Sequence, residues 1–578
     1  MDMISYFDSP QNLYHRQYAA VRDFLYEKKS AHEVAQKYNY TKATIYSMAR
    51  DFKKLLDGNK LDDYLFSKTR LGRPEKTSTI QAKDKIISLR KHYLSVEEIK
   101  ENLDAQGEKV SETFIYNSIK SAGFARLPKR TKLVKTDIQS NIKIEAPTTE
   151  KLKGACESFN SSNVGVLCFL PLIKKYEIDQ LIINSGYPET KTIPKINSIL
   201  SFIALKLSNI KRYSKDDLWC MDRGLGLFAG LNVLPKTSWF SSYSHRITRD
   251  INISFLRAMH KLWQKKGLLE DTSNLDFTTV PYWGDNSHVE NNWSGTRHKA
   301  LASILAVIAQ DQDSGIITYG DADVKHASES DVVVEFLDFY KANGVNNLKY
   351  LVFDSKFTTY QNLRKLDDSN TKFITIRRRG ERIVSELEAL PNSAWKQVRV
   401  MSGTGKNRSL KICDQKIFLR DYGKEVRQIA ITGNGRIKPA LIITNDLELA
   451  QTDIVRKYAK RWLVEKTISE QAHFFHFNKI SSSMVIKVDF DLTMTILAYN
   501  LYRLLAKELP RYTHQTAEKI YEKFISNGGK IVIRENEIEV LLKKKRHLPS
   551  ILSTMKSFTP CNIGWLNKKI NVFAASYS

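Results

Sequence analysis

Leu275-Asp276-Phe277-Thr278-Thr279-Val280-Pro281-Tyr282 is an apolar, strand-like run with one acid inside it. An ionised acid in such a run is costly unless a partner neutralises it. Further strand-like runs follow at Ser303–Ala309, Gly315–Tyr319 and Leu348–Phe353. A helical stretch, Ser330–Ala342, separates the third run from the fourth. The order β-β-β-α-β predicts a mixed α/β unit. The fourth run, Tyr350-Leu351-Val352-Phe353-Asp354, ends on a second acid, and the C-terminal end of a buried strand is where open α/β sheets place their sites.

Short β-like runs continue at Phe373–Ile376, Ile417–Arg420, Arg427–Thr432 and Ala440–Thr444, with Gly-rich turns between them. Asp446 to Ile480 contains neither Gly nor Pro and predicts one long helix. At about 100° per residue, Tyr458, Arg461 and Glu465 share one face of it.

The chain has 578 residues, too many for one ordinary domain, so three or four are expected. Its 42% hydrophobic and 10% aromatic content excludes a largely disordered chain. The net charge of +27 favours polyanionic partners, nucleic acid first. No segment reaches about 18 uninterrupted apolar residues, and the N-terminus lacks a basic and apolar leader pattern. The five cysteines, Cys156, Cys168, Cys220, Cys413 and Cys561, form no CxxC pair. A reduced cytoplasmic protein with buried thiols is expected, nucleoid-associated in a prokaryote.

The predicted organisation is multidomain α/β. Residues 1–140 hold 26 basic against 18 acidic residues and read as a helix-turn-helix region of two units, 15–56 and 80–125, joined by a basic linker. In the first unit Ser30 caps one helix and Thr41 the next, with Ile45 and Met48 inward. Lys42, Thr44, Tyr46 and Arg50 then face a major groove. In the second, Ser95 and Glu98 form a capping box, and Ser111 opens a helix carrying Thr113 and Tyr116. Arg70 and Arg73 in the linker are candidates for a minor groove. Residues 141–149 read as a linker, 150–270 as a helical accessory domain, 271–375 as the first part of the core, 376–445 as a β-rich insertion, 446–505 as the core segment with the Glu helix, and 506–578 as a C-terminal helical region.

Phosphodiester chemistry by two divalent ions about 3.5–4 Å apart needs several carboxylates brought together. Asp276, Asp354 and Glu465 are the candidates, on first strand, fourth strand and helix. Each alone reads more simply as a strand-edge, turn or surface acid; their joint placement carries the argument. That placement resembles the DDE transposases with an RNase-H-like catalytic core, in the insertion-sequence branch where a β-rich insert separates the second Asp from the Glu. The branch carries Tyr-x2-Arg-x3-Glu-x6-Lys on the Glu helix. Tyr458, Arg461 and Glu465 match it, while the Lys position is Ala472. Lys466 and Lys479 are the nearby substitutes. Asp276-Phe277-Thr278-Thr279, Trp462 and Thr444-Asn445 also resemble the family, over roughly residues 270–505.

The resemblance implies that Asp276, Asp354 and Glu465 ligate two Mg²⁺ or Mn²⁺ ions. Water frees a 3′-hydroxyl at the element end, which then attacks target DNA. Tyr458 and Arg461 would contact DNA near the cleaved end. The implied partners are double-stranded DNA, as terminal inverted repeats and target, and a second copy of the chain, since a dimer supplies two DNA ends. Two other readings stay open: a DNA-binding regulator or domesticated relative that no longer cuts, against which retention of the three acids speaks, and a structure-specific nuclease of the same core without strand transfer.

Rival residues read more simply. Asp321 and Asp323 belong to a strand-end turn; Glu470 lies about 140° around the helix from Glu465. Asp285 and Glu290 are solvated, and His473 and His476 pack. Arg212, Lys215 and Arg223 in the accessory block are further candidates for tracking DNA. No phosphate-binding P-loop, GxSxG elbow or Cys–His signature occurs.

Overall fold

A strand whose two faces meet different layers needs apolar residues on both, and the run around Asp276 supplies them. The computed structural model describes residues 12–58, 77–91, 94–105, 108, 110–124, 146–152, 156–211, 218–282, 289–294, 299–342, 344, 348–357, 359–378, 380–401, 407–433, 439–479 and 485–575. The chain divides into two compact units, 1–138 and 139–578.

In the first unit, helices Leu13–Leu25, Ala31–Tyr38 and Lys42–Asp57 close over Ala20, Val34, Tyr38 and Ile45. The Ser30–Glu33 capping box and the Thr41 cap fix where the second and third helices begin, and Asn39 turns the chain between them at φ +57°. Helices Thr77–Lys91, Val96–Ala105 and Glu112–Ser121 close over Ile86, Ile99, Leu103 and Ile115. The Ser95–Glu98 box and the Ser111 cap form as the sequence predicts.

In the second unit the strands are β1 (Glu157–Ser161), β2 (Thr272–Pro281), β3 (Asn291–Ser294), β4 (Lys299–Asp311), β5 (Ile317–Val324), β6 (Tyr350–Phe353), β7 (Lys372–Ile376), β8 (Lys396–Met401), β9 (Asn407–Leu419), β10 (Lys424–Thr432), β11 (Ala440–Thr444), β12 (Gly529–Ile533), β13 (Glu537–Leu542), β14 (Cys561–Ile563) and β15 (Lys568–Ala574). One sheet runs β3-β4-β2-β6-β7-β11-β10-β9-β8 among the described residues, with β5 also on β4. β4 is antiparallel to β2 and to β5, whereas β6 and β7 continue parallel. The middle of this sheet therefore reads β5-β4-β2-β6-β7, with the expected helix (Val332–Lys341) between β5 and β6. The antiparallel β11, β10, β9 and β8 extend the same sheet.

The helix Val485–Glu508 is buried from Val488 through Tyr502, so it is apolar all round rather than along one stripe. Its few polar groups are matched. Asn500 holds the backbone N–H and C=O of Ile317 at 2.9 and 2.8 Å, and Lys206 pairs with Asp491 at 2.8 Å. Arg249 Nη1 meets Asp489 Oδ1 at 2.5 Å, and its Nη2 lies 2.9 Å from Asp321.

Four expectations change. Residues 446–480 form two helices, Gln451–Lys460 and Trp462–His473, with a break at Arg461. The 506–578 segment, expected helical, holds the strands β12 to β15 as well as short helices such as Leu548–Lys556. Ile531, Ile533, Ile538, Val540 and Leu542 alternate inward there, and period 2 makes strands. The 150–270 block is not a separate helical domain: β1 joins β12, and its helices share one core with the sheet and the Val485–Glu508 helix. Asp321 and Asp323 lie within β5 rather than after it. Of the cysteines, Cys168, Cys220 and Cys413 are buried, while Cys156 is exposed. Among the described residues no helix is long and apolar enough to cross a membrane.

Asp489 is 2% exposed, so removing its cation leaves a buried charge poorly matched. Arg249→Ala is expected to cost about 3 kcal/mol, the lower end for breaking a buried pair, since Asn252 still donates to Asp489. Urea unfolding at pH 7 measures it; a change below about 1 kcal/mol contradicts it.

Candidate active site

Parallel pairing aligns the first two acids. β2 and β6 register Asn274 with Val352, and Asp276 and Asp354 each lie two residues further on. Two residues along a strand returns to the same face, so both carboxylates emerge on one side at neighbouring strand positions. On the opposite face Phe277 stacks on Phe357, centroids 3.8 Å apart and planes 1° from parallel. That stack ties the residue after Asp276 to the turn after Asp354, where Ser355 N–H donates to Asp354 Oδ1 at 2.6 Å.

The third acid arrives on the broken helix. Asn274 Nδ2 donates to the Lys460 carbonyl at 3.3 Å, and Gln312 Nε2 donates to the Lys457 carbonyl at 3.0 Å and to Asn274 Oδ1 at 2.8 Å. These amides take up carbonyls at the C-terminal end of helix Gln451–Lys460, groups that have no partner within their own helix. They fix the break at Arg461 over the sheet. Sequence reading missed both; the signal was an amide two residues before Asp276, on the same face of the strand.

Arg461 then reaches both ways. Nη1 donates to Asp276 Oδ2 at 2.8 Å and Nη2 to Glu465 Oε1 at 2.6 Å. Its guanidinium is 14% exposed, against 53% for Glu465. The Tyr458 ring lies 5.8 Å from the guanidinium. Of the five residues singled out along the sequence, Asp276, Asp354, Tyr458 and Glu465 thus all lie within electrostatic reach of the fifth, Arg461.

Burial pushes the Asp276 carboxyl up to about 6; Arg461 and the Phe277 N–H pull it down, and Glu465 and Asp354 raise it further. Burial likewise lifts the Tyr458 hydroxyl to about 12. Arg461 is held above its usual range: burial works against its charge, but Tyr458 and the three acids outweigh it.

Three gathered carboxylates suit a hard divalent ion, which takes oxygen donors. The donor chemistry fits. In the present arrangement, however, no three His, Cys, Asp or Glu side chains among the described residues are grouped closely enough to hold an ion. Arg461 stands between Asp276 and Glu465 instead.

The rival acids have other work. Asp321 pairs with Arg249, and Glu470 Oε2 accepts from the Ala517 N–H at 2.8 Å. Glu290 accepts from the His326 N–H at 3.1 Å; Asp285 lies outside the described residues. His476 is buried and bonds Asn209 at 2.6 Å, while His473 is exposed. Arg223 lies over Phe159 at 4.0 Å and pairs with Glu157. Lys466 lies 4.0 Å over the Trp462 ring. In the first unit Lys42, Tyr46, Arg50, Thr113 and Tyr116 are exposed, whereas Thr44 is half-buried with its hydroxyl 2.8 Å from that of Thr41. Arg70 and Arg73, like Arg212 and Lys215, lie outside the described residues.

The raised Asp276 carboxyl sets a pH dependence. Between its ordinary 3.8 and about 6 the folded state holds more protons than the unfolded chain. Stability of the ion-free protein therefore falls as pH rises through that interval. Two units correspond to about 3 kcal/mol. Asp276→Asn is expected to flatten this stretch of the curve, read by urea unfolding in EDTA at steps from pH 4 to 7.

The family described as "Transposase DDE domain" matches residues 270–501, an interval that contains Asp276, Asp354, Tyr458, Arg461 and Glu465. No curated protein sequence matches the chain. Among solved structures, a cryo-EM structure of piggyBac transposase in a synaptic complex with hairpin DNA aligns at 10% identity. It covers 62% of this chain and 79% of that one with a TM-score of 0.35, a likeness too slight to carry argument. The family match, less than half of the chain in extent, supports residues 270–501 as a DDE-type transposase domain.

Proposed function

We propose that the chain is a DNA transposase of the insertion-sequence branch, binding the terminal inverted repeats of a mobile element and carrying out strand cleavage and strand transfer. The observation that carries this is Arg461 bonded to both Asp276 and Glu465, with Asp354 at the strand position neighbouring Asp276 and Tyr458 beside the guanidinium. The order β5-β4-β2-β6-β7, with β4 reversed, supports reading this sheet as an RNase-H-like core, and the antiparallel β8 to β11 support reading 376–445 as the insert before the Glu helix.

On this reading Asp276, Asp354 and Glu465 hold two Mg²⁺ or Mn²⁺ ions. When bound, such ions supply activation of the attacking oxygen and stabilisation of the leaving one. The chain's own groups do the rest. Arg461 presents a fork suited to two phosphate oxygens. Tyr458, its hydroxyl kept neutral by burial, offers a ring on which an unpaired base can stack. The helical first unit reads terminal repeats through Lys42, Thr44, Tyr46 and Arg50, with Thr113 and Tyr116 from its second set of helices and Arg70 and Arg73 from the linker. Two copies of the chain would hold two element ends.

The test uses DNA carrying the repeats that flank the gene, with Mg²⁺ or EDTA. Wild type is expected to nick and join in Mg²⁺ only. Asp354→Asn is expected to bind the same DNA with nicking reduced by about 10³-fold or more, the scale of losing a reaction-supporting electrostatic group. Binding without nicking by wild type would leave a DNA-binding regulator; nicking without joining would leave a nuclease. Tyr46→Ala with Arg50→Ala is expected to weaken repeat binding about tenfold or more, since each side chain that reads a base edge is worth roughly 1–3 kcal/mol, read by gel shift.

A further inference from the structure

We propose that Arg461 is a displaceable counter-ion. It keeps Asp276 and Glu465 closed on itself until a DNA phosphate takes its guanidinium, so that divalent ions enter after DNA. The inference rests on the functional reading above, in which these acids are the ion ligands.

Three observations carry it. First, Arg461 spans two of the three acids, at 2.8 and 2.6 Å, and no ion-sized group of ligands remains among the described residues. An ion can be gripped by Asp276, Asp354 and Glu465 together only if the guanidinium leaves the gap. Second, the guanidinium is incompletely satisfied: Nε is buried without a hydrogen-bond partner. A phosphate offers oxygens in the geometry that a guanidinium fork accepts in pairs. Third, Arg461 sits at the break between two helices, where the Arg461 N–H and the Val464 N–H both make i→i−3 bonds, to Tyr458 and to Arg461. A helix joint can reorient a side chain with little disturbance of the turns on either side.

Charge balance couples the two ligands. Three carboxylates with Arg461 leave the site at about −2. Two divalent ions added while Arg461 stays would carry it to about +2, a net charge disfavoured in a partly buried site. A phosphate diester removes one positive charge and draws the guanidinium away from the acids. DNA and ions therefore favour each other, and by linkage each must tighten the other's binding by the same factor.

The experiment follows Mn²⁺ binding to the full chain by the loss of its free-ion paramagnetic resonance signal, with and without a 30-base-pair duplex. Asp354→Asn is measured alongside to subtract ions bound by DNA alone. For wild type, the duplex is expected to tighten the Asp354-dependent binding at least tenfold. Arg461→Gln, which keeps the helix joint but removes the charge, is expected to bind Mn²⁺ at least tenfold tighter than wild type without DNA and to gain less than threefold from the duplex. Equal Mn²⁺ affinity of DNA-free wild type and a folded Arg461→Gln overturns the proposal, as does a duplex effect of the same size in both. Should Arg461→Gln fail to fold, the wild-type comparison decides: no gain with duplex overturns it. If Asp354→Asn binds Mn²⁺ as wild type does in every condition, the functional reading fails instead.

Discussion

A buried carboxylate stays ionised only beside a cation or hydrogen-bond donors, and the surroundings of Asp276 are arranged around that requirement. Asp276 sits in the sheet with its carboxyl pushed up to about 6 although Arg461 is in contact with it. One guanidinium against three acids is too little. The supports nearby fix where that guanidinium lies. Asn274 and Gln312 hold the carbonyl end of one helix, and the next helix starts one residue later with Glu465 on its first turn. The break is therefore built by the amides of Asn274 in β2 and Gln312 in the turn after β4 rather than by a Gly or Pro, neither of which occurs there.

The rest of the 139–578 unit holds that sheet still. The Val485–Glu508 helix is enclosed on all sides, and its polar groups pair across to β5 and to the helices Lys195–Leu207 and Arg249–Lys265. Each of these contacts is a buried charge or amide matched by a partner. Such pairs add little net stability but penalise any other register heavily. The sheet level that brings Asp276 beside Asp354 is thereby protected from slipping, since a shift of one residue would turn one acid to the opposite face.

Much of the central sheet was legible because its signals are local. Four apolar runs with one intervening helix reappear as β2, β4, β5 and β6 around Val332–Lys341. Of the candidate site, helical spacing put Tyr458, Arg461 and Glu465 on one face, and Asp354 follows the end of a strand-like run. Three things were not. The helix break depends on Asn274 and Gln312, which are 186 and 145 residues away in sequence from the carbonyls they bond. The C-terminal sheet was read as helix because Glu537-Ile538-Glu539-Val540 was not read at period 2. The closing of β1 onto β12 joins residues more than 360 positions apart, which no local pattern encodes. The salt bridge at the centre of the site was also hidden: spacing places Arg461 and Glu465 on one face, but not Asp276 beneath them.

Ala472 sharpens the position of Arg461. Seven residues after Glu465 the chain holds the methyl group of Ala472 rather than a lysine, and Lys466, the nearest basic residue on the same helix, lies over Trp462. Under the proposed function, the cation in contact with the acids is then the same group that would meet the phosphate. One guanidinium cannot do both at full strength: each Å it moves toward DNA weakens its hold on Asp276 and Glu465 as the inverse of distance. Conflict between the two tasks couples them.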